Sequence, residues 1–276
     1  MKNRPVRENR REAKRYGDCM QYRIIVASSK GGVGKSTTSA LLAVCLAARG
    51  KRVLLCDLDL GTRCLDMFFG VEDSAACDVG DVYLGRVGAE RAIVRLGAES
   101  DGELYFCPSS AALRPDEVES EKLCETLDSL AAEVNAEYVV CDTAGSVMPV
   151  KLAKWANVGL ICATQTPASV RSAEASADRL REAGLRTMRL IVTAFDYREA
   201  RTGLRSGLIS LIDGASLRAI GVVPNDRALM LSQERGALPG IRTPAMIAYA
   251  NVAARLCGED RPLFQGISGM KGSKVL

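Results

Sequence analysis

Short apolar runs recur along the chain, with longer amphipathic stretches between them. The runs are RIIVA at 23–27, RVLLCD at 52–57, LYFCP at 104–108, YVVCD at 138–142, VGLICA at 158–163, LIVTAF at 190–195 and AIGVV at 219–223. Most are continuous rather than alternating in polarity, the pattern of parallel strands covered on both faces. Helices are predicted over 35–49, 115–134, 169–183 and 204–213, and after the last strand over 228–235 and 244–257. This alternation predicts one doubly wound α/β domain, a mostly parallel sheet with helices on both faces. The domain is expected over 23–257, between a flexible basic arm at 1–22 and a tail at 258–276. Sheets of this kind bind ligands beyond the carboxyl ends of their strands, and the motifs with chemistry fall there.

The first run leads directly into Ser28-Ser29-Lys30-Gly31-Gly32-Val33-Gly34-Lys35-Ser36-Thr37-Thr38, followed by a helical stretch. Glycines allow the backbone to turn tightly and aim successive N–H groups inward. The helix N-terminus adds partial positive charge. Together they predict a polyphosphate cradle over Gly31, Gly32, Val33 and Gly34. Lys35 would reach the terminal phosphates, the Ser36 hydroxyl would ligate Mg²⁺, and Thr37 would bond a more interior phosphate. The general G-x-x-x-x-G-K-[ST] pattern wants glycine at position 29. This chain has Ser29 and matches the variant K-G-G-x-G-K-[ST], which opens with a second lysine.

Two carboxylate motifs lie at later strand ends: Asp57-Leu58-Asp59-Leu60-Gly61 and Asp142-Thr143-Ala144-Gly145. A phosphoryl-transfer site mainly positions water, metal and charge. Asp142 is the expected anchor for Mg²⁺-bound waters, Asp57 a support for the metal shell, and Asp59 the residue that orients the attacking water. Asp59 and Lys35 are thus catalytic candidates.

Composition narrows the picture. Hydrophobic residues make up 47% and charged residues 25%, ordinary for a globular protein. Histidine is absent, which excludes a Ser-His-Asp triad and a His-ligated zinc site. No apolar run is long enough to span a membrane, and the first residues lack the apolar core of an export signal. Ten cysteines are scattered with no C-x-x-C pair, so a cytoplasmic location with free thiols is expected. The formal charge of +4 comes from 37 basic and 33 acidic side chains. Seven basic and three acidic ones fall within 1–22, so the arm carries all of it and the remainder is neutral.

In these motifs the chain resembles the MinD/ParA family of deviant Walker ATPases, over about 23–262. KGGVGKST supplies the family's signature lysine at Lys30. DLDLGTRCLDMFFG, with Leu65-Asp66, and the segments TPASVRSAEASADRL and GVVPNDRALMLSQERGALP are similar to the MinD branch. The resemblance implies a MinD-like P-loop fold, ATP and Mg²⁺ as ligands, and slow hydrolysis of ATP to ADP and phosphate. It implies an ATP-bound homodimer in which each Lys30 reaches the partner's phosphates, an unidentified activating protein, and a spatial switch in cell division or in positioning a cellular machine. It places Pro224, Asn225 and Asp226 beside the base, puts Thr193 where relatives often carry an adenine-side Asn-Arg pair, and makes Asp59, Gly61, Asp142 and Gly145 the switch positions. The family's Asp-x-Pro-Ala-Gly switch is here one residue shorter and lacks proline.

Alternatives within the family are a ParA-like DNA-partition ATPase and a flagellar or pilus-positioning ATPase. The neutral folded part makes DNA the weaker partner. Cluster carriers need paired cysteines, anion pumps carry two phosphate loops and tyrosine kinases end in a tyrosine cluster, none of which occurs here. Attachment to an anionic membrane at its inner face would use the arm or the tail. Polybasic segments contribute about 1 kcal/mol per charge, so the arm's net four yields about millimolar affinity, and a dimer doubles the arms. In the tail, Leu263, Phe264, Ile267 and Met270 fall at helical spacing. Gly266, Gly269 and Gly272 each cost about 1 kcal/mol of helix propensity, so a frayed end is expected there.

Overall fold

The computed structural model describes residues 21–97 and 102–267. Most of the arm, and the end of the tail with Met270, lie outside the described residues. Among the described residues eight strands form one sheet: β1 (Tyr22–Ala27), β2 (Arg52–Leu58), β3 (Val94–Leu96), β4 (Glu103–Cys107), β5 (Tyr138–Thr143), β6 (Val158–Ala163), β7 (Met188–Phe195) and β8 (Ala219–Pro224). Their order is β3-β4-β2-β5-β1-β6-β7-β8. All pairings are parallel except β3 with β4. The seven predicted runs are all strands. The eighth, β3, is a three-residue antiparallel edge strand with one buried side chain, too short to leave a periodicity.

Among the described residues ten α-helices surround the sheet: α1 (Lys35–Ala47), α2 (Leu65–Phe69), α3 (Val79–Tyr83), α4 (Ser120–Glu133), α5 (Val147–Lys151), α6 (Pro167–Glu182), α7 (Tyr197–Thr202), α8 (Leu208–Ala215), α9 (Arg227–Glu234) and α10 (Pro244–Leu256). Two predicted helices are shortened by local competition. Over 115–119 the chain turns, with Glu117 bonded back to Arg114, so α4 starts at Ser120. Over 204–213 the residues divide: Gly203, at φ 76, ends α7 in the left-handed region, and α8 starts only at Leu208. The helix at 169–183 instead starts two residues earlier, at Pro167, because Thr166 caps it and proline suits a first helical position.

The core explains why the strands read as unbroken apolar runs. Ile24, Ile25 and Val26 are fully buried, with α1 and α10 packed together on one face and α6 and α8 on the other. Helix α10 lies so close to β8 that a Cβ on Gly221 would sit 2.3 Å from Val252 Cγ2. Among the described residues no helix is long and apolar enough to cross a membrane.

The first part of the tail folds back. Leu263 and Phe264 pack against the core and Ile267 is 2% exposed. The Asn251 amide donates to the Gln265 carbonyl at 2.7 Å, and the Arg255 guanidinium donates to the Arg261 and Pro262 carbonyls. Three of the four apolar positions that the sequence offers to a lipid surface are therefore used inside this protein.

Candidate nucleotide site

Strand β1 sits between β5 and β6, so its carboxyl end opens onto the middle of the sheet. The loop that follows runs from Ser28 to Gly34. Gly32 and Gly34 have φ of 70° and 82°, where a side chain would be strained, and Gly34 is the residue before α1. Gly31 and Gly32 are exposed and have open space where a Cβ would lie. Val33 anchors the loop in the core at 2% exposure. Thr193 supports it from below: its hydroxyl donates to the Val33 carbonyl at 2.7 Å, with the Ala163 carbonyl at 3.3 Å. That hydroxyl is committed to backbone, so what Thr193 offers a ligand is the wall beneath the loop.

Lys35, Ser36 and Thr37 open α1, all half-buried at the helix N-terminus. Thr37 Oγ1 accepts from Gln233 Nε2 of α9 at 2.6 Å. Gln233, with Thr164, Ala194 and Met230, lines the same open cleft of about 680 Å³ as Gly32, Gly34, Thr37, Pro224, Asn225 and Asp226. The cleft thus joins the phosphate loop to the end of β8. Asp226 turns its carboxylate to structural work. Oδ1 accepts from Ala228 N and Leu229 N at the start of α9, and Oδ2 accepts from Ala245 N at the start of α10.

The two strand-end carboxylates meet in register. Asp57 and Asp142 are direct partners on adjacent parallel strands, and each is 1% exposed. Burial pushes the Asp57 carboxyl up to about 8, and the neighbouring Asp142 charge adds to it. Backbone N–H groups of Asp59, at 3.0 Å, and Leu65, at 3.4 Å, oppose the shift. Asp142 rises less, to about 6: burial raises it, while the Ser36 and Ser39 hydroxyls and the Lys35 charge hold it down. Asp59 is half-buried and raised by burial against the pull of Lys35. Its carbonyl is fixed by the Ser109 hydroxyl at 2.9 Å, and Gly61, at φ 91°, is tied to the Ser110 carbonyl. Gly145, at φ 60°, is exposed beyond β5.

The residues fit a hydrated Mg²⁺. Two buried carboxylates with raised proton affinity and a serine hydroxyl on one of them form a donor set that a cation would relieve. Among the described residues no three acidic or thiol side chains form a cage of their own. Mg²⁺ at a phosphate does not need one, because it keeps waters and takes phosphate oxygens.

Lys30 lies apart from this set. Its amine donates to Thr166 Oγ1, the cap of α6, at 3.3 Å. Ser29, where the general motif has glycine, bonds Ser176 of α6 through its N–H at 3.0 Å and its hydroxyl at 2.8 Å, with Arg179 Nη1 at 3.4 Å. Ser39, Thr166, Ser176 and Gln233 were not among the predicted site residues. Ser39 lies one helical turn past Lys35 and was open to inference. The other three lie inside the TPASVRSAEASADRL and GVVPNDRALMLSQERGALP segments, whose likeness to the MinD branch was the available signal, but nothing local marks those particular side chains as facing the loop.

Comparison with known proteins agrees with this fold and with a nucleotide-binding domain. A family model described as the CobQ/CobB/MinD/ParA nucleotide binding domain matches residues 24–239. The septum site-determining protein MinD of Bacillus subtilis is 31% identical, covering 87% of this chain and 90% of its own. MinD of Escherichia coli K12 is 29% identical over 87% and 92%. Among solved structures, the MinC:MinD cell division protein complex of Aquifex aeolicus aligns with a TM-score of 0.79 at 29% identity, over 88% of this chain and 98% of that one. MinD of Pyrococcus horikoshii complexed with Mg-ADP aligns at 0.72 over 86% and 96%, and at 21% identity shows the fold alone.

Proposed function

The chain belongs to the CobQ/CobB/MinD/ParA nucleotide-binding family, and from that premise we propose that it is a MinD-like ATP-driven switch: two copies join when ATP is bound and part when it is hydrolysed. One observation carries the reading. The phosphate loop, Lys35 and the register-paired Asp57 and Asp142 converge on one site, while Lys30 is bonded outside it, on the α6 cap. A lysine held in that way is available to a second subunit.

The loop N–H groups and Lys35 hold the triphosphate, and Thr37 exchanges Gln233 for a phosphate oxygen. Asp59 orients the water that attacks the terminal phosphorus, and ADP and phosphate leave. Mg²⁺, when bound, offsets negative charge on the phosphates. Asp57 and Asp142 would hold the protein side of its hydrated shell, and the Ser36 hydroxyl would serve as a ligand. Lys30 of each copy neutralises charge on the other's phosphates, an electrostatic contribution made only when two subunits meet. An unidentified activating protein would bind the paired state, at a surface of the kind by which MinD of Aquifex aeolicus forms its complex with MinC, and the biological setting would be the positioning of division or of another machine.

Light scattering with ATP and with ADP tests this. The Asp59→Ala variant should accumulate as a dimer with ATP. Lys30→Ala should stay monomeric while retaining nucleotide binding. A Lys30→Ala protein that dimerises normally with ATP would remove the cross-subunit role.

A further inference from the structure

Ser29 stands where the general phosphate-loop pattern has glycine, and the backbone there does not require one. Among the described residues the non-glycine positions at positive φ are Asn135, Ala194 and Ser216, so Ser29 carries its side chain without strain. That side chain reaches α6. Ser29 N and Ser29 Oγ lie 3.0 and 2.8 Å from Ser176 Oγ. Ser176 commits its own proton to the Ser172 carbonyl at 2.7 Å. Its oxygen therefore accepts both bonds, and the Ser29 hydroxyl is the donor. Ser29 Oγ in turn accepts from Arg179 Nη1 at 3.4 Å. The bonds run in one direction, Arg179 to Ser29 to Ser176 to Ser172, an order in which each polarises the next. Ser176 is 5% exposed, so water competes little for it.

This clamp lies at the root of Lys30. The Lys30 N–H donates to Ser28 Oγ at 3.3 Å, so the backbone is held on both sides of the Ser29–Lys30 peptide. The amine, at the far end of the side chain, makes a long 3.3 Å bond to Thr166 at the start of the same helix. A lysine fixed in an interface loses much side-chain freedom. Holding its root beforehand lowers that cost and leaves the amine free to leave Thr166.

We infer that Ser29 and Ser176 are positioning residues for Lys30: their two hydrogen bonds fix the root of the lysine to α6, so that its amine alone moves when a second subunit brings phosphates within reach. The inference rests on the switch reading and adds the part of this chain that aims the lysine.

The test compares variants of the full chain by light scattering over a concentration series with a non-hydrolysable ATP analogue, by binding of a fluorescent ADP analogue and by steady-state hydrolysis. Ser176→Ala should raise the protein concentration needed for dimerisation about three- to tenfold and lower kcat at a fixed protein concentration, with ADP affinity unchanged. Ser29→Ala keeps the N–H bond and should fall between Ser176→Ala and the wild type. Ser29 is exposed, so Ser29→Thr has room for its methyl, keeps the hydroxyl and should match the wild type. In the Lys30→Ala background Ser176→Ala should slow hydrolysis no further, because its effect passes through the lysine. The inference is overturned if Ser176→Ala dimerises at wild-type concentrations, if it weakens ADP binding as much as dimerisation, or if it slows the Lys30→Ala protein further. A wild type that stays monomeric with the ATP analogue overturns the switch reading, and this inference with it.

Discussion

Burial sets Asp57 and Asp142 apart from ordinary aspartates. Folded, both hold protons to higher pH than they would in an open chain, where an aspartate titrates near 3.8. The folded chain thus binds more protons than the unfolded one from about pH 4 upward, to about 6 for Asp142 and about 8 for Asp57. Stability without metal or nucleotide should fall as pH rises through that window and level off above it. Asp57→Asn should flatten the slope, raising the melting temperature at pH 8 much more than at pH 5. Calorimetry in a chelator checks this, and a wild-type profile flat between pH 4 and 8 would refute the assignment. Thr193 teaches a related lesson. The family resemblance puts it where relatives often carry an adenine-side Asn-Arg pair, and its hydroxyl is occupied by the Val33 and Ala163 carbonyls.

At the scale of elements, α9 and α10 depend on one carboxylate. Asp226 caps α9 through two N–H groups and takes the Ala245 N–H in the first turn of α10. Asp226→Ala should cost about 1–3 kcal/mol in urea unfolding, since it removes a cap and leaves a buried donor unpaired. Nucleotide affinity should fall with it, because Leu229, Met230 and Gln233 on α9 wall the cleft. Unchanged affinity in a destabilised variant would separate the cap from the site. Sequence reading placed all seven long strands and the main helices because each carries its own period. It missed β3 and misjudged the starts of α4 and α8, where turn bonds and a left-handed glycine decide and polarity does not.

Over the whole molecule, the decisive packing is that of the tail. A free amphipathic end would leave stability unchanged when cut back. Here Ile267 is buried and Asn251 and Arg255 bind the tail backbone. Ile267→Ala should therefore lower the unfolding free energy by about 2 kcal/mol or more, measured by denaturant titration. An Ile267→Ala protein as stable as the wild type would return the tail to the solvent. With Leu263, Phe264 and Ile267 engaged, Met230 and Leu231 on α9 and Leu238 and Ile241 in the loop after it remain exposed.

The phosphate loop, the strand count to within one short edge strand, and the three acidic residues of the candidate site were all legible in the sequence. Each depends on local order: a glycine spacing, an apolar run, an aspartate at the end of a strand. The pairing of Asp57 with Asp142, the hold of Thr166 on Lys30 and of Gln233 on Thr37, and the inward turn of the tail belong to the tertiary structure. They join residues from 14 to 196 positions apart. Contacts across such separations follow from which strands lie side by side and which helices cover them, and no local pattern encodes that.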